Sequence, residues 1–321
     1  MENINTIFDQ TKEQKQAIID LLNQGRRDVP LFCEEGINEV IYVPVEDGEL
    51  KVYHHTPKKS ILKRPILFIP GYVAAPSTWV DFHKPQHDLG EYYYLETREK
   101  NSSRIKKSRK VRMDLKQSAK DIKSVIEFLG LDRKDYVLFG SSYGGGIIFE
   151  ALIKQYINPP TVLLFDPIAY WIYTTPFTNF ILAFIPPFIL NSIRFFIAKL
   201  YLAGMKNQAQ KRRMMAFVKG IEPWKFRKCT LQNRKLNIVE DLKEITSETI
   251  ICHGPLDKYH PRMAYYNYAK SIPKGRLIFM FTEDEERELL AGVIATEFAK
   301  VTKNEGIPTS LAKFEIEIKR E

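Results

Sequence analysis

The sequence predicts an α/β protein built on a mostly parallel, doubly wound sheet that helices cover on both faces. Three observations predict this fold class. Short, continuously apolar segments recur along the chain, as expected for strands that are buried on both faces. Segments with helical spacing separate them, which is typical of strand–helix–strand units. A glycine-rich turn at residues 140–144 joins one of these strands directly to a helix.

The predicted elements follow one another in the order that such a fold requires. A helix is expected over residues 9–23, and a hairpin with a turn at Asp47 and Gly48 comes next. The predicted strands cover residues 40–43, 50–53, 66–69, 92–95, 136–139, 161–165, 249–252, 277–281 and, as an edge strand, 314–318. Further helices are expected over residues 113–129, 145–152 and 285–300, and Gly130 ends the first of these.

Composition and charge narrow the class of protein. The chain has 321 residues, of which 44% are hydrophobic and 27% charged, values typical of a soluble globular protein. The first residues have neither a basic leader nor an apolar core, so we expect no signal peptide. Cys33, Cys229 and Cys252 form no CxxC pair, so we expect neither disulfides nor a zinc site, and a cytoplasmic location. The net charge of +9 indicates anionic partners.

The most informative motif is Gly-Ser-Ser-Tyr-Gly at residues 140–144. A G-x-S-x-G sequence between a strand and a helix holds the serine on a tight, strained turn, with its hydroxyl clear of the sheet. Ser142 is therefore the candidate nucleophile, and Ser141 is the variable residue before it.

This order of elements around the motif resembles the α/β-hydrolase superfamily, over about residues 38–300. The similarity is greatest to capped esterases, monoglyceride and lysophospholipid lipases, and epoxide-hydrolase-like members. The resemblance implies an α/β-hydrolase core of residues 38–166 and 246–321, with a helical cap of residues 167–245 inserted after the sixth strand. Residues 1–37 would form an N-terminal helical extension. No cofactor is expected.

The resemblance also implies roles for particular residues. Pro70 and Gly71 lead to Tyr72, whose backbone N–H and that of Tyr143 would form the oxyanion hole. Asp257 follows the penultimate strand, where the family keeps its triad acid. The alternative interpretation of Asp257 is a loop carboxylate that caps the next helix. Asp166 is the alternative acid, and it could equally be a turn residue at the end of a strand.

One departure from the family pattern concerns the catalytic base. The family places a histidine after the last strand, but residues 282–288 here read Thr-Glu-Asp-Glu-Glu-Arg-Glu. A serine is a poor nucleophile without a base, and a glutamate with a pKa of about 4.3 is a weak substitute. We interpret this run as the solvated, acidic beginning of a helix, which suits the helix dipole. Weak ester turnover is therefore expected.

None of the histidines lies in the last 60 or so residues of the chain; they are His54, His55, His83, His87, His253 and His260. His260 and His83 remain weak candidates for the base. His260 lies three residues from Asp257, and His83 follows the oxyanion segment. The alternative interpretation of His83 and His87 is an ordinary surface position, and His253 is interpreted as structural.

The cap sequence is apolar and basic. No Asp or Glu occurs between Asp166 and Glu222, and residues 189–201 have helical spacing between Pro187 and Gly204. Residues 98–112 form a second basic run, in which Glu99 is the acidic residue, at the same predicted sheet edge. Together they favour acyl chains and an anionic membrane surface. The alternatives are a cap whose apolar face packs on the core and a solvated loop. No nucleic-acid partner is expected.

Two functions fit these observations. The leading one is hydrolysis of a carboxylic ester with an apolar acyl group through Ser142, Asp257 and an unidentified base. The alternative is a catalytically impaired protein of the same fold that binds a lipid, a small molecule or a protein partner. A location in the cytoplasm, with peripheral membrane contact, fits both functions.

Overall fold

A computed structural model describes residues 7–204, 208–254 and 262–320 of the chain. Within these residues, one sheet contains ten strands in the order β1-β2-β4-β3-β6-β7-β8-β9-β10, and β5 pairs with β2. The strands are β1 (Glu39–Val45), β2 (Gly48–His55), β3 (Ile66–Ile69), β4 (Tyr92–Glu96), β5 (Arg104–Ile105), β6 (Val137–Ser141), β7 (Thr161–Phe165), β8 (Thr249–His253), β9 (Gly275–Phe279) and β10 (Glu315–Ile316).

Six neighbouring strands of the sheet run parallel, in the order β4, β3, β6, β7, β8 and β9. At the two ends of the sheet, β1, β2 and β10 pair in antiparallel fashion. The register aligns the carboxyl ends of the central strands: Ser141 pairs with Phe165, and Phe165 pairs with Cys252. The segments that follow β3, β6, β7 and β8 therefore meet at one edge of the sheet, where ligands bind in open α/β sheets.

Helices pack on both faces of the sheet, as predicted. The described helices are α1 (Lys12–Gly25), α2 (Val80–His83), α3 (Leu115–Phe128), α4 (Tyr143–Ile153), α5 (Pro176–Phe184), α6 (Pro187–Ala203), α7 (Gln208–Gly220), α8 (Pro223–Asn233), α9 (Arg262–Ser271), α10 (Arg287–Lys300) and α11 (Thr309–Ala312). Apolar residues of α3, α4 and α9 share one buried cluster with the sheet, and those of α1, α2 and α10 share the other. The mostly parallel, doubly wound sheet predicted from the sequence is confirmed.

Local sequence explains where several helices begin and end. Thr11 forms a capping box with Gln14 at the beginning of α1, and the Asp114 side chain accepts the backbone N–H of Gln117 at the beginning of α3. Gly130, with a φ of 64°, lies just beyond the end of α3, in a backbone conformation that favours glycine.

Some boundaries differ from the prediction. The two-residue strand β5 was not predicted, so the insertion that the sequence places after a sixth strand follows β7 here. Helices α5–α8 form that insertion. Strand β9 ends at Phe279, two residues earlier than predicted, and Phe279 pairs with His253 at the end of β8. Helix α10 begins at Arg287, since residues Asp284–Glu286 form a turn of 3₁₀ helix. No helix in the described part of the chain is long and apolar enough to cross a bilayer.

Candidate active site

Ser142 lies between the last residue of β6 and the first residue of α4, with φ 51° and ψ −114°. A positive φ is uncommon for a residue other than glycine and is frequently found at functional sites. The neighbouring glycine makes the turn feasible: a Cβ on Gly144 would lie 2.1 Å from the backbone oxygen of Ile69. The close approach of α4 to the end of β3 thus requires glycine at this position.

The segment after β3 lies beside Ser142. A Cβ placed on Gly71 would be 3.4 Å from the Cβ of Ser142, so the backbone of Gly71 passes close to the serine. The next residue, Tyr72, is held by the insertion, because its hydroxyl oxygen lies 2.8 Å from Thr230 Oγ1 in α8. Val73 follows with a φ of 50°, a strained conformation for a β-branched side chain.

Tyr173, in the segment between β7 and α5, contacts the candidate nucleophile. Its hydroxyl oxygen lies 2.9 Å from Ser142 Oγ, and it also accepts the backbone N–H of Tyr143. Its ring packs against Tyr72 at 4.9 Å and Trp171 at 5.1 Å between centroids. Burial raises the pKa of the Tyr173 hydroxyl above its ordinary value, so the phenol is neutral and cannot act as a base near pH 7.

Sequence reasoning missed Tyr173. Its position at the beginning of the insertion carries no motif, and its partner Ser142 lies 31 residues earlier in the chain. The only available signal was that the insertion follows a strand whose end lies at the same sheet edge as the motif.

Asp166 is buried at the end of β7, where its carboxylate contacts two basic side chains. Its Oδ1 lies 2.5 Å from His253 Nδ1, and its Oδ2 accepts from Arg287 at 3.0–3.1 Å. The Arg287 guanidinium also reaches Ser141 Oγ, at 3.5 Å. The ends of β6, β7 and β8 are therefore joined by buried polar contacts beneath the turn that carries Ser142.

The described histidines do not hydrogen-bond to Ser142. His83 is 1% exposed, packs 4.0 Å from the ring of Phe32 and 4.3 Å from that of Tyr92, and contacts Gln86. Burial lowers the pKa of the His83 imidazole well below its ordinary value. The interpretation of His83 and His87 as surface residues is wrong, because both are buried beside β4.

The three remaining described histidines have other partners. His54 bonds to Glu39 and Glu91, and His55 contacts Asn38 and the backbone oxygen of His87. His253 is fully buried, and its Nε2 has no hydrogen-bond partner in the described part of the protein. Asp257 and His260 lie outside the described residues, between the end of β8 and the beginning of α9.

The acidic run after β9 forms ion pairs with a basic residue of the insertion. Arg213 of α7 donates to Glu288 at 3.0 Å and pairs with Asp284. Glu288 is 5% exposed, and burial raises the pKa of its carboxyl group. The interpretation of this run as a solvated helix beginning is therefore wrong for Glu288. The position where the family would have its histidine instead anchors α7 to the core.

Part of the basic run at residues 98–112 is also buried. Arg98 is fully buried and bonds to both carboxylate oxygens of Asp121, at 2.6 and 2.9 Å. Lys100 is 2% exposed and donates to the backbone oxygen of Gly71. Lys100 thus supports the segment after β3, and neither side chain is available to a membrane, contrary to the expectation for the whole run. Lys106, Lys107, Arg109 and Lys110 are exposed.

Known protein families and curated proteins give no sequence match to this chain. Solved structures match its fold. An esterase from Exiguobacterium antarcticum is 18% identical with a TM-score of 0.65, covering 82% of this chain and 100% of that chain. A thermophilic esterase from Thermogutta terrifontis is 17% identical with a TM-score of 0.58, covering 78% and 93%. The carboxylesterase CesB from Bacillus subtilis is 15% identical with a TM-score of 0.53, covering 85% and 91%. Together with the sheet order and the position of Ser142, these similarities establish that the chain has the α/β-hydrolase fold.

Proposed function

We propose that this protein hydrolyses a carboxylic ester with an apolar acyl group, with Ser142 as the nucleophile. The observation that carries the proposal is the strained strand-to-helix turn, which presents Ser142 Oγ beside a backbone N–H at Tyr143. The similarity in fold to esterases and lipases supports it.

The reaction would proceed through an acyl-enzyme. Ser142 Oγ attacks the carbonyl carbon while a base takes its proton, and the oxyanion accepts hydrogen bonds from the N–H groups of Tyr143 and Tyr72. Because the Tyr173 hydroxyl now accepts the N–H of Tyr143, the substrate oxygen must displace it. The tetrahedral intermediate then collapses: the ester C–O bond breaks and the alcohol leaves with the proton that the base took from Ser142. Water, which gives a proton to the same base, then hydrolyses the acyl-serine and releases the acid.

His260 is our candidate for the base, and Asp257 for the acid that orients it. The other histidines are engaged elsewhere, and His260 follows β8 in the sequence, a strand that ends at the sheet edge that carries Ser142. Asp166 binds His253 and Arg287, so we assign it to the support of the Ser142 turn and not to the triad.

Residues 167–245 are proposed to form the lid over this site, and the exposed part of α5 and α6 to rest on an anionic lipid surface. Five phenylalanines on these helices are 65–72% exposed, and they are Phe177, Phe180, Phe184, Phe188 and Phe196. Apolar side chains exposed together on one surface are characteristic of interaction sites. Lys199 is exposed on α6 and supplies positive charge beside them.

The test is hydrolysis of p-nitrophenyl octanoate by purified protein. We expect slow turnover that S142A and H260Q both reduce to the background rate, while S141A, the adjacent serine, retains the wild-type rate. Equal rates for wild type and S142A would contradict the proposal and favour the catalytically impaired alternative. Loss in S142A but not in H260Q would leave the nucleophile in place and reject the base.

A further inference from the structure

A cleft of about 550 Å³ lies between α7 and the segment that follows Val73. Its volume is in the range of small-molecule sites. The two walls approach closely at one end, where a Cβ on Gly220 would be 3.4 Å from the backbone oxygen of Val73. Tyr72, the proposed oxyanion residue, directly precedes Val73, so the cleft begins one residue from the proposed reaction site.

The α7 wall of the cleft is cationic. Lys211, Arg212 and Lys219 line it and form no ion pair with any residue that the structure describes. Lys100 adds a fourth cation at the opposite wall, where it is bound to Gly71 and Glu99. Clustered cations without carboxylate partners favour an anionic ligand.

Glu96 is the acidic residue that lines the cleft, and it is compatible with an anion. One carboxylate oxygen accepts from Ser102 Oγ at 2.6 Å, and the other, Oε1, is buried without a hydrogen-bond partner in the described part of the chain. Burial raises the pKa of this carboxyl group. Glu96 is 2% exposed, so its carboxyl group presents almost no surface to an anion in the cleft.

The remaining lining is apolar. Val73, Ala74 and Ala75 lie on the loop side, and Met215 and Ala216 lie on α7 among the basic side chains. A bare inorganic ion would leave these groups without a partner, whereas a hydrocarbon chain would cover them.

We propose that this cleft binds an amphiphilic small molecule through its anionic group, a phosphate or a carboxylate on a short hydrocarbon chain. Where Ser142 acts as an esterase, which rests on the proposed function, the substrate class is an ester that carries such a group on the side that faces α7.

Calorimetry with the S142A variant tests the binding site without catalysis. We expect hexyl phosphate to bind at least about tenfold more tightly than either 1-hexanol or inorganic phosphate. Only hexyl phosphate can pair with the basic side chains and also cover the apolar lining of the cleft. K211E/R212E is expected to weaken hexyl phosphate by about tenfold or more. A216W, which fills the cleft without changing its charge, is expected to abolish binding.

The pair K58E/K59E is the matched control, since it makes the same charge change at exposed lysines after β2. Its affinity should equal that of the parent protein. If K211E/R212E and K58E/K59E weakened the binding of hexyl phosphate equally, or if hexanol and hexyl phosphate bound equally tightly, the proposal of an anion site would be wrong. If inorganic phosphate bound as tightly as hexyl phosphate, the proposal that the ligand carries a hydrocarbon chain would be wrong. Binding of hexyl phosphate to a protein whose wild type hydrolyses no ester would reject the proposed function while retaining this site.

Discussion

The Tyr173 hydroxyl connects the insertion to the candidate nucleophile at the scale of single atoms. It contacts Ser142 Oγ and lies beside the Tyr143 N–H, the group that we propose as a donor to the substrate oxygen. A neutral phenol at this position competes with substrate and cannot take the proton of the serine.

The variant Y173F should therefore raise kcat/KM for p-nitrophenyl octanoate. The ring keeps its contacts with Tyr72 and Trp171, and the competing hydrogen bond, with a net contribution of about 1 kcal/mol, is lost. A rise of roughly fivefold is expected. Y170F, in the same segment but with an exposed ring, is the control and should have no effect. A fall in kcat/KM for Y173F at unchanged stability would show that the hydroxyl takes part in catalysis.

Asp166 supports the turn through a buried charge. The variant D166N keeps the shape of the side chain but removes the buried carboxylate that Arg287, which is 7% exposed, pairs with at 3.0 Å. Breaking a buried ion pair on one side costs about 3–5 kcal/mol, so urea unfolding should show a loss of that size. The double variant D166N/R287M should recover part of it. A loss below about 1 kcal/mol for D166N would contradict a structural role for this pair.

At the scale of elements, Lys225 joins α8 to the chain after β4. Its Nζ donates to the backbone oxygens of Lys100, at 2.6 Å, and of Ser103. The contacts tie the insertion to the same segment that supports Gly71 through Lys100. Burial of the amine lowers the pKa of Lys225 from 10.5 to about 8.

This lowered pKa predicts a particular pH dependence of stability. Between the folded pKa of about 8 and the unfolded value of 10.5, the unfolded chain binds a proton that the folded chain does not. The free energy of unfolding contributed by this lysine therefore rises with pH across that window and is lost as pH falls through 8. Urea unfolding at pH 7.5–10 should show this rise in the wild type relative to K225M. Parallel pH profiles for the two proteins would contradict it.

The elements most accurately predicted from the sequence are those whose environment is uniform. Strands β3, β6 and β7 are buried along almost their whole length, so most of their residues are apolar. Strand ends were less accurate: the apolar run at residues 277–281 continues beyond the end of β9 at Phe279, and the N–H of Phe281 donates to the Gln10 side chain. Apolar composition does not specify which residue leaves the sheet.

The candidate site was predictable only where a local motif carries it. The turn at Ser142 needs glycines at fixed offsets, so its sequence reveals it. The Tyr173 contact, the burial of Arg98 against Asp121 and the ion pairs of Arg213 join residues 23–75 positions apart. Nothing in the sequence near either partner signals such pairs, because each depends on how separate segments of the chain pack together.

At the scale of the whole molecule, charge and apolar surface are concentrated in the insertion. Exposed phenylalanines cover α5 and α6, and the basic residues of α7 that line the cleft form no ion pair within the described part of the chain. The chain has a net charge of +9, and the basic side chains that remain exposed after β5 add to it at residues 106–110. An apolar surface with cations beside it suits the interface of an anionic bilayer.

The variant F184S/F188S should therefore bind vesicles of anionic lipid more weakly than the wild type in a sedimentation assay. Both side chains are 72% exposed, and burying a phenylalanine in the acyl region contributes about 2 kcal/mol, so removing two should lower partitioning by more than roughly tenfold. Each nearby basic residue adds on the order of 1 kcal/mol on anionic lipid, a contribution that salt screens, so wild-type binding should fall between low and high salt. F128S removes a ring that is 55% exposed on α3, outside the insertion, and should bind as the wild type does. Equal binding to neutral and anionic vesicles, or an equal loss in F128S, would contradict a membrane-facing insertion and leave α5 and α6 as a substrate lid.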